Sequence, residues 1–162
     1  MATWRNGYAE DCKSFYPSSI LGVASKIWMF MDKRILKIAS DTNNVSFLKN
    51  HTHKSKLKNS MCGDVINIYL VIKKNKIIKF KFNGDNCIYC QASASLLSKV
   101  VIKKNISKID KLLKEANNCF KTKKKTIDGE WKDYLKIMNK DNAFKRECLL
   151  LPLKATLKAI KN

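Results

Sequence analysis

The sequence predicts an α+β domain, with a small antiparallel β-sheet packed against several helices, and three observations carry that prediction. Two runs in the middle of the chain alternate apolar and polar residues at the period of a strand. Three later segments place apolar residues at helical spacing, and apolar residues make up 45% of the 162, enough for a core within one domain. No apolar run approaches the roughly 20 residues that a membrane-spanning helix needs, so no membrane span is expected.

Residues 1–30 differ in composition from the rest. They hold three of the 33 basic residues and two of the three tryptophans. Their apolar patch, Ile20 to Met31, is broken by Lys26 and preceded by Glu10 and Asp11, which fits a secretory signal poorly. They are read as an N-terminal extension outside the fold, with the domain occupying 31–162. Ile35, Leu36, Ile38 and Ala39 suit a short amphipathic helix from Asp32 to Ala39, which Asp41-Thr42-Asn43-Asn44 would end. The polar, lysine-rich stretch that follows holds His51-Thr52-His53, read as surface imidazoles because no cysteine stands beside them.

Val65 to Lys73 alternates, with Ile66, Ile68, Leu70 and Ile72 on one face. Ile77 to Phe82 does the same through Ile78, Phe80 and Phe82, and Lys73-Lys74-Asn75-Lys76 connects the two runs, predicting a hairpin with one buried face. The turn brings Cys62, before the first strand, to the same end of the sheet as Cys87, after the second. Cys62 and Asp64, two residues apart, would share one side of an extended segment.

Ile88 to Ile102 lacks Gly and Pro and places Ala92, Leu96, Leu97 and Val100 on a helical stripe. Cys87 then sits at a helix N-terminus, where the dipole favours a thiolate. Ile106 to Ala116 makes another helix, ended by Asn117-Asn118, with Cys119 packing as a small apolar residue. Lys121 to Lys125 is a charged connector, and Trp131, Tyr134, Leu135 and Met138 form a further helix or lobe. Cys148 opens a last helix with Leu150, Leu153, Leu157 and Ile160 on one stripe, and Pro152 is expected within its first turn.

Six cysteines without a secretory signal read as reduced cytoplasmic thiols. The net charge of +20 invites a nucleic-acid partner, but only Arg5, Arg34 and Arg146 are arginine, and the lysines spread over nearly every segment past residue 31. A solvated lysine surface without specific nucleic-acid binding is therefore expected, the rival being a zinc-stabilised basic nucleic-acid-binding module. Cys87-Ile88-Tyr89-Cys90 matches a Cys-x-x-Cys pattern, yet it lacks both the thioredoxin-like context of a redox pair and the second pair of a zinc ribbon. Thiols at the ends of separate elements, one with a nearby aspartate, make a mixed sulfur and oxygen donor set suited to zinc or iron.

Three motifs in this order resemble the NifU-like N-terminal family, the IscU and SufU iron–sulfur cluster assembly scaffolds. They are Cys62-Gly63-Asp64, Gly84-x-x-Cys87 followed by Ala92-Ser93-Ala94-Ser95, and Cys148 leading into Leu149-Leu150-Leu151-Pro152-Leu153. The resemblance covers about 33–160 and is closer to SufU, because Glu147 stands where IscU-type chains carry histidine. Lys56 to Met61 replaces the family's usual Asn-Pro-rich approach to the first cysteine. The resemblance implies a SufE/NifU-like fold with a metal site at one end and Cys62, Asp64, Cys87 and Cys148 as ligands. Implied too are a transient [2Fe–2S] cluster or zinc, with Cys148 accepting sulfur from a cysteine desulfurase. The chain would be either a scaffold serving apo iron–sulfur acceptors or a zinc-dependent sulfur-transfer partner.

Overall fold

The computed structural model describes residues 32–121 and 129–162. The expectations for residues 1–30 and for all of the charged connector past Lys121 lie outside the described residues. In order, the elements are α1 (Lys33–Ala39), β1 (His53–Lys58), β2 (Val65–Lys73), β3 (Lys76–Asn83), α2 (Ile88–Val100), α3 (Ser107–Cys119), α4 (Lys132–Leu135), a 3-10 turn (Lys140–Lys145) and α5 (Arg146–Lys161). The strands form an antiparallel sheet in the order β1-β2-β3.

Lys74 and Asn75, both at positive φ (48° and 58°), make the tight turn between β2 and β3. Two such residues match the right-handed twist of the strands they join. Ile66, Ile68 and Leu70 of β2 and Phe80 and Phe82 of β3 are buried against the helices, as their alternation predicts. Each such side chain contributes roughly 1.5–3 kcal/mol by leaving water. Ile78 departs from the expectation: it is exposed, and Ile77 is buried instead. Ile72 pairs with Ile77 whereas Val71 pairs with Lys79, so Ile78 is an unpaired bulge residue. One extra residue in a strand inverts which side chains point inward on its far side.

Sequence reading missed β1. Its inward positions are His53, Ser55 and Leu57, which make no apolar stripe. Ser55 nevertheless faces the core, where its hydroxyl donates to the Ala155 carbonyl of α5 at 2.6 Å. A hydrogen bond to α5 takes the place of an apolar contact, and alternation cannot reveal it.

α5 packs on β1 and β2, and α2 lies between α5 and α1. The small residues Ala92 and Ser93 let α2 approach α5 closely; the Ser93 hydroxyl donates to the Leu149 carbonyl at 2.6 Å. α3 runs past Asn117-Asn118 to Cys119, which is half-buried against the core. The Asn117 side chain bonds back to the Leu113 carbonyl, so it supports the last turn and does not stop it. Trp131, Tyr134, Leu135 and Met138 are buried around the short α4.

Pro152 lies inside α5, past the first turn that was expected for it. The helix begins at Arg146, so Pro152 has no N–H to give the Cys148 carbonyl one turn before it. Among the described residues no helix is long and apolar enough to cross a membrane.

Candidate metal centre

The residues 59–64, between β1 and β2, form a tight loop. The Asn59 amide N–H donates to the Asp64 carbonyl at 2.8 Å, Gly63 N–H donates to the Asn59 carbonyl at 2.9 Å, and the Asn59 Oδ1 accepts from Met61 N–H at 3.0 Å. Gly63 sits at φ +79°, a left-handed conformation that glycine adopts without strain. Cys62 and Asp64 are thus brought together by a turn at Gly63 and not by strand alternation.

A second loop, Gly84 to Cys87, is strapped beside the first. Val65 N–H donates to the Asp85 carbonyl at 2.9 Å, and Cys87 N–H donates to Asp64 Oδ1 at 3.0 Å. A Cβ on Gly84 would lie 2.0 Å from the Val65 carbonyl oxygen, so only glycine permits this approach. The hairpin does place Cys62 and Cys87 at one end of the sheet, and the third residue of α5 brings Cys148 to the same end.

Ligand atoms of Cys62, Asp64 and Cys148 all lie within 4.8 Å of one another. The two sulfurs are 3.3 Å apart, both thiols free. Asp64 is buried, with Oδ1 satisfied by Cys87 and Oδ2 without any hydrogen-bond partner. An unpartnered carboxylate oxygen among thiols is a position that a cation fills, since burying it otherwise carries an unrecovered desolvation cost. Burial works against the Asp64 charge, but the neighbouring Cys87, whose amide donates to Oδ1, and the nearby Cys62 and Cys148 thiols outweigh it, and the carboxyl stays below its usual range.

Cys87 stands at the edge of this group. Its amide touches Asp64, while its sulfur lies outside the set of atoms within 4.8 Å. The expectation of a thiolate favoured by the helix N-terminus fails: burial, and then the neighbouring Asp64, push the thiol up. Cys148 is pushed up as well, by burial first and by the Cys62 thiol beside it. A cleft of about 650 Å³ opens over the site, with Cys62, Asp64 and Cys87 in its wall.

Asn59 is the site residue that sequence reading passed over. Its side-chain Nδ2 donates to Cys62 Sγ at 2.9 Å and reaches Cys148 Sγ at 3.7 Å. The signal was present as an Asn three residues ahead of a Cys-Gly-Asp turn. Cys90 is buried and donates its thiol to Asn86 Oδ1 at 3.3 Å; it lies near the group without belonging to it. His51 and His53 bond to the Leu48 carbonyl and the Thr52 hydroxyl and belong to no metal-binding group among the described residues.

The model of the NifU-like N terminal domain family matches residues 31–128. This chain belongs to that family. The iron-sulfur cluster assembly scaffold protein IscU of Thermotoga maritima is 32% identical over 111 residues, spanning 64% of this chain and 73% of that protein. The crystal structure of an N-terminal NifU-like protein from Brucella abortus superposes with a TM-score of 0.69 at 20% identity, covering 80% of this chain and 91% of that one. A protein of Fervidobacterium islandicum assigned as a cluster assembly scaffold for the SUF system gives 0.69 at 24% identity, covering 82% and 97%. The two structures bear out the α+β fold expected for the family. The cysteines and the aspartate of the three motifs fall on the loops and helix ends that build the site, while Ala92 to Ser95 lies inside α2 and packs in the core.

Proposed function

We propose that this chain is an iron–sulfur cluster assembly scaffold whose site holds iron or zinc through Cys62, Asp64 and Cys148, with Cys87 completing the set. The observation that carries this is the buried, unpartnered Oδ2 of Asp64 inside a group of two free thiols. Family membership directs the reading to scaffolding, and nothing found favours the nucleic-acid module.

The donor set fits a borderline metal: sulfur ligands suit zinc and iron, and one carboxylate keeps the set from closing as firmly as a fourth sulfur would. A bound zinc ion would hold the thiols deprotonated. Asn59 then serves the sulfurs directly, because an amide N–H donated to a thiolate stabilises its charge and fixes its direction. Asp64 holds the α2 start through the Cys87 amide and offers its free oxygen to the metal.

The proposed sulfur step begins with the persulfide of a cysteine desulfurase. The Cys148 thiolate attacks the outer sulfur, the partner's S–S bond breaks, and the electron pair leaves with the desulfurase thiolate, which takes up the proton released from Cys148. A persulfide on Cys148 results, with no net oxidation. The product is then used either in a cluster built on the scaffold, its cargo for apo acceptor proteins, or in direct transfer.

Metal analysis of protein purified without chelator tests the site, with stoichiometric zinc or iron expected. Incubation with a desulfurase and cysteine, followed by mass spectrometry, tests the transfer: one added sulfur on Cys148 is expected. Absence of both metal and added sulfur defeats the proposal.

A further inference from the structure

The sheet has two faces, and the helices pack on one of them. Register places Lys54, Lys56 and Lys58 of β1 opposite Tyr69, Asn67 and Val65 of β2. On the other side Lys79 and Lys81 of β3 lie opposite Val71 and Tyr69. These positions alternate with the inward-facing Ser55, Ile66, Ile68, Leu70, Phe80 and Phe82, so all five lysines stand on the outer face. Lys81 reaches the Asn43 carbonyl; the other four are exposed.

Among the described residues no strand carries a carboxylate on this face, and none of the five lysines forms an ion pair. On the helices and their connections the pattern is different: Lys104 and Lys108 share Glu130, and Lys154 pairs with Glu147. Positive charge is therefore left uncompensated on the sheet. Lysines on outer strands commonly keep a bare edge from pairing with another chain. That explanation fails for Lys79 and Lys81, because the β3 edge is already met by Val45 at Phe82 and by Asn105 at Lys76.

An apolar anchor stands among the charges. Phe47 is 58% exposed. Its ring is nonetheless held, with centroids 5.0 Å from Tyr69 and 6.0 Å from His51, and His51 lies 5.4 Å from Tyr69. An exposed aromatic ring fixed in advance loses little freedom when a partner covers it.

We propose that this outer face is a docking surface for an acidic protein partner, with Phe47 as the apolar anchor and the lysines as its charged surround. A protein fits better than single-stranded nucleic acid for two reasons. Among the described residues the face carries no arginine, and its three rings meet at steep angles of 60° to 78°. Nucleic-acid platforms present flat rings on which bases stack. With strands about 4.8 Å apart, the sheet face is smaller than the roughly 800 Å² per partner of a standard interface. The contact is accordingly short-lived and salt-sensitive. Lys58 and Val65 border the 59–64 loop, so a partner docked here lies beside the metal centre and leaves its cleft open. The proposal does not depend on what the metal centre holds.

The test titrates the full chain with polyglutamate and, separately, with a peptide of alternating glutamate and leucine, following amide shifts by NMR. Shifts are expected at Lys54, Lys56, Tyr69 and Lys79. The triple variant Lys54→Glu/Lys56→Glu/Lys79→Glu should weaken both probes roughly tenfold or more. Lys37→Glu/Lys111→Glu/Lys161→Glu, with the same change in net charge on the helices, should stay within about twofold. Phe47→Ala should weaken only the peptide that carries leucine. Neutral Lys→Gln changes at the same three sheet positions give an intermediate loss and serve should the reversal variant misfold. Equal losses in both reversal variants, or shifts spread over the helices, overturn the proposal. Tighter binding of an oligothymidylate that is lost with Phe47→Ala also overturns it, assigning the face to nucleic acid instead.

Discussion

Asn59 donates its side-chain amide to the Cys62 sulfur at 2.9 Å while its Oδ1 holds the Met61 amide. One residue thus shapes the loop and serves the thiol. Asn59→Asp keeps the oxygen that shapes the loop and puts a carboxylate oxygen where the donor was. It is expected to fold like the parent and to lower zinc affinity by about tenfold or more, the usual scale for a group that orients a ligand. Competition against a chromophoric chelator measures this; unchanged affinity would mean that Asn59 only shapes the turn.

Asp64 separates two roles by atom. Oδ1 accepts the Cys87 amide, and Oδ2 is unpartnered. Asp64→Asn, with its amide oxygen at the Oδ1 position, should preserve the fold and lose metal. Asp64→Cys should retain zinc against a chelator longer than the parent, because sulfur is the softer donor. Equal zinc release from the parent and Asp64→Cys would remove Asp64 from the ligand set.

Gly84→Ala is expected to destabilise the domain by about 2 to 4 kcal/mol, in the range of strain at a special backbone position. The added Cβ would meet the Val65 carbonyl oxygen at 2.0 Å. Since this contact straps the Cys87 loop to the start of β2, metal content should fall together with the denaturation midpoint. Gly63→Ala, whose Cβ meets nothing within 4 Å, should cost less.

Cys90→Ser should leave metal content unchanged, since Cys90 is buried and bonded to Asn86. Elemental analysis of the purified variant decides it. Stoichiometric metal loss would show that Cys87 and Cys90 chelate as a pair.

A chain beginning at Met31 should fold and bind metal as the full chain does. The family match begins at residue 31, and Lys33–Asn162 forms a compact unit. Chemical denaturation of both chains checks this, and a loss of more than about 2 kcal/mol counts against it.

What was legible in the sequence followed from local pattern. The hairpin, α2, α3 and α5 show in apolar periodicity, and Cys62, Asp64 and Cys148 show as motif residues at element ends. What was hidden depended on distant partners. β1 needs Ala155 to explain Ser55, and the outward turn of Ile78 needs its bulge against β2. Cys87 sits at a helix start, as read, but burial and the Asp64 charge, which only the folded loops bring close, override the helix dipole there. Asn59 was hidden for a related reason: its carboxamide gains meaning only once Cys148, 89 positions away, arrives beside it.

The touching sulfurs of Cys62 and Cys148 are 86 positions apart in the chain. At ribosomal speeds of ~5–20 residues per second, that separation corresponds to roughly 4 to 17 s of synthesis. During that interval the 59–64 loop and the β2–β3 hairpin emerge as a half-formed binding place that lacks its last sulfur. With the proposed ligand set, metal retention would wait for the final helix to be made and docked, so that occupancy would mark a finished molecule and nascent chains would be spared premature loading.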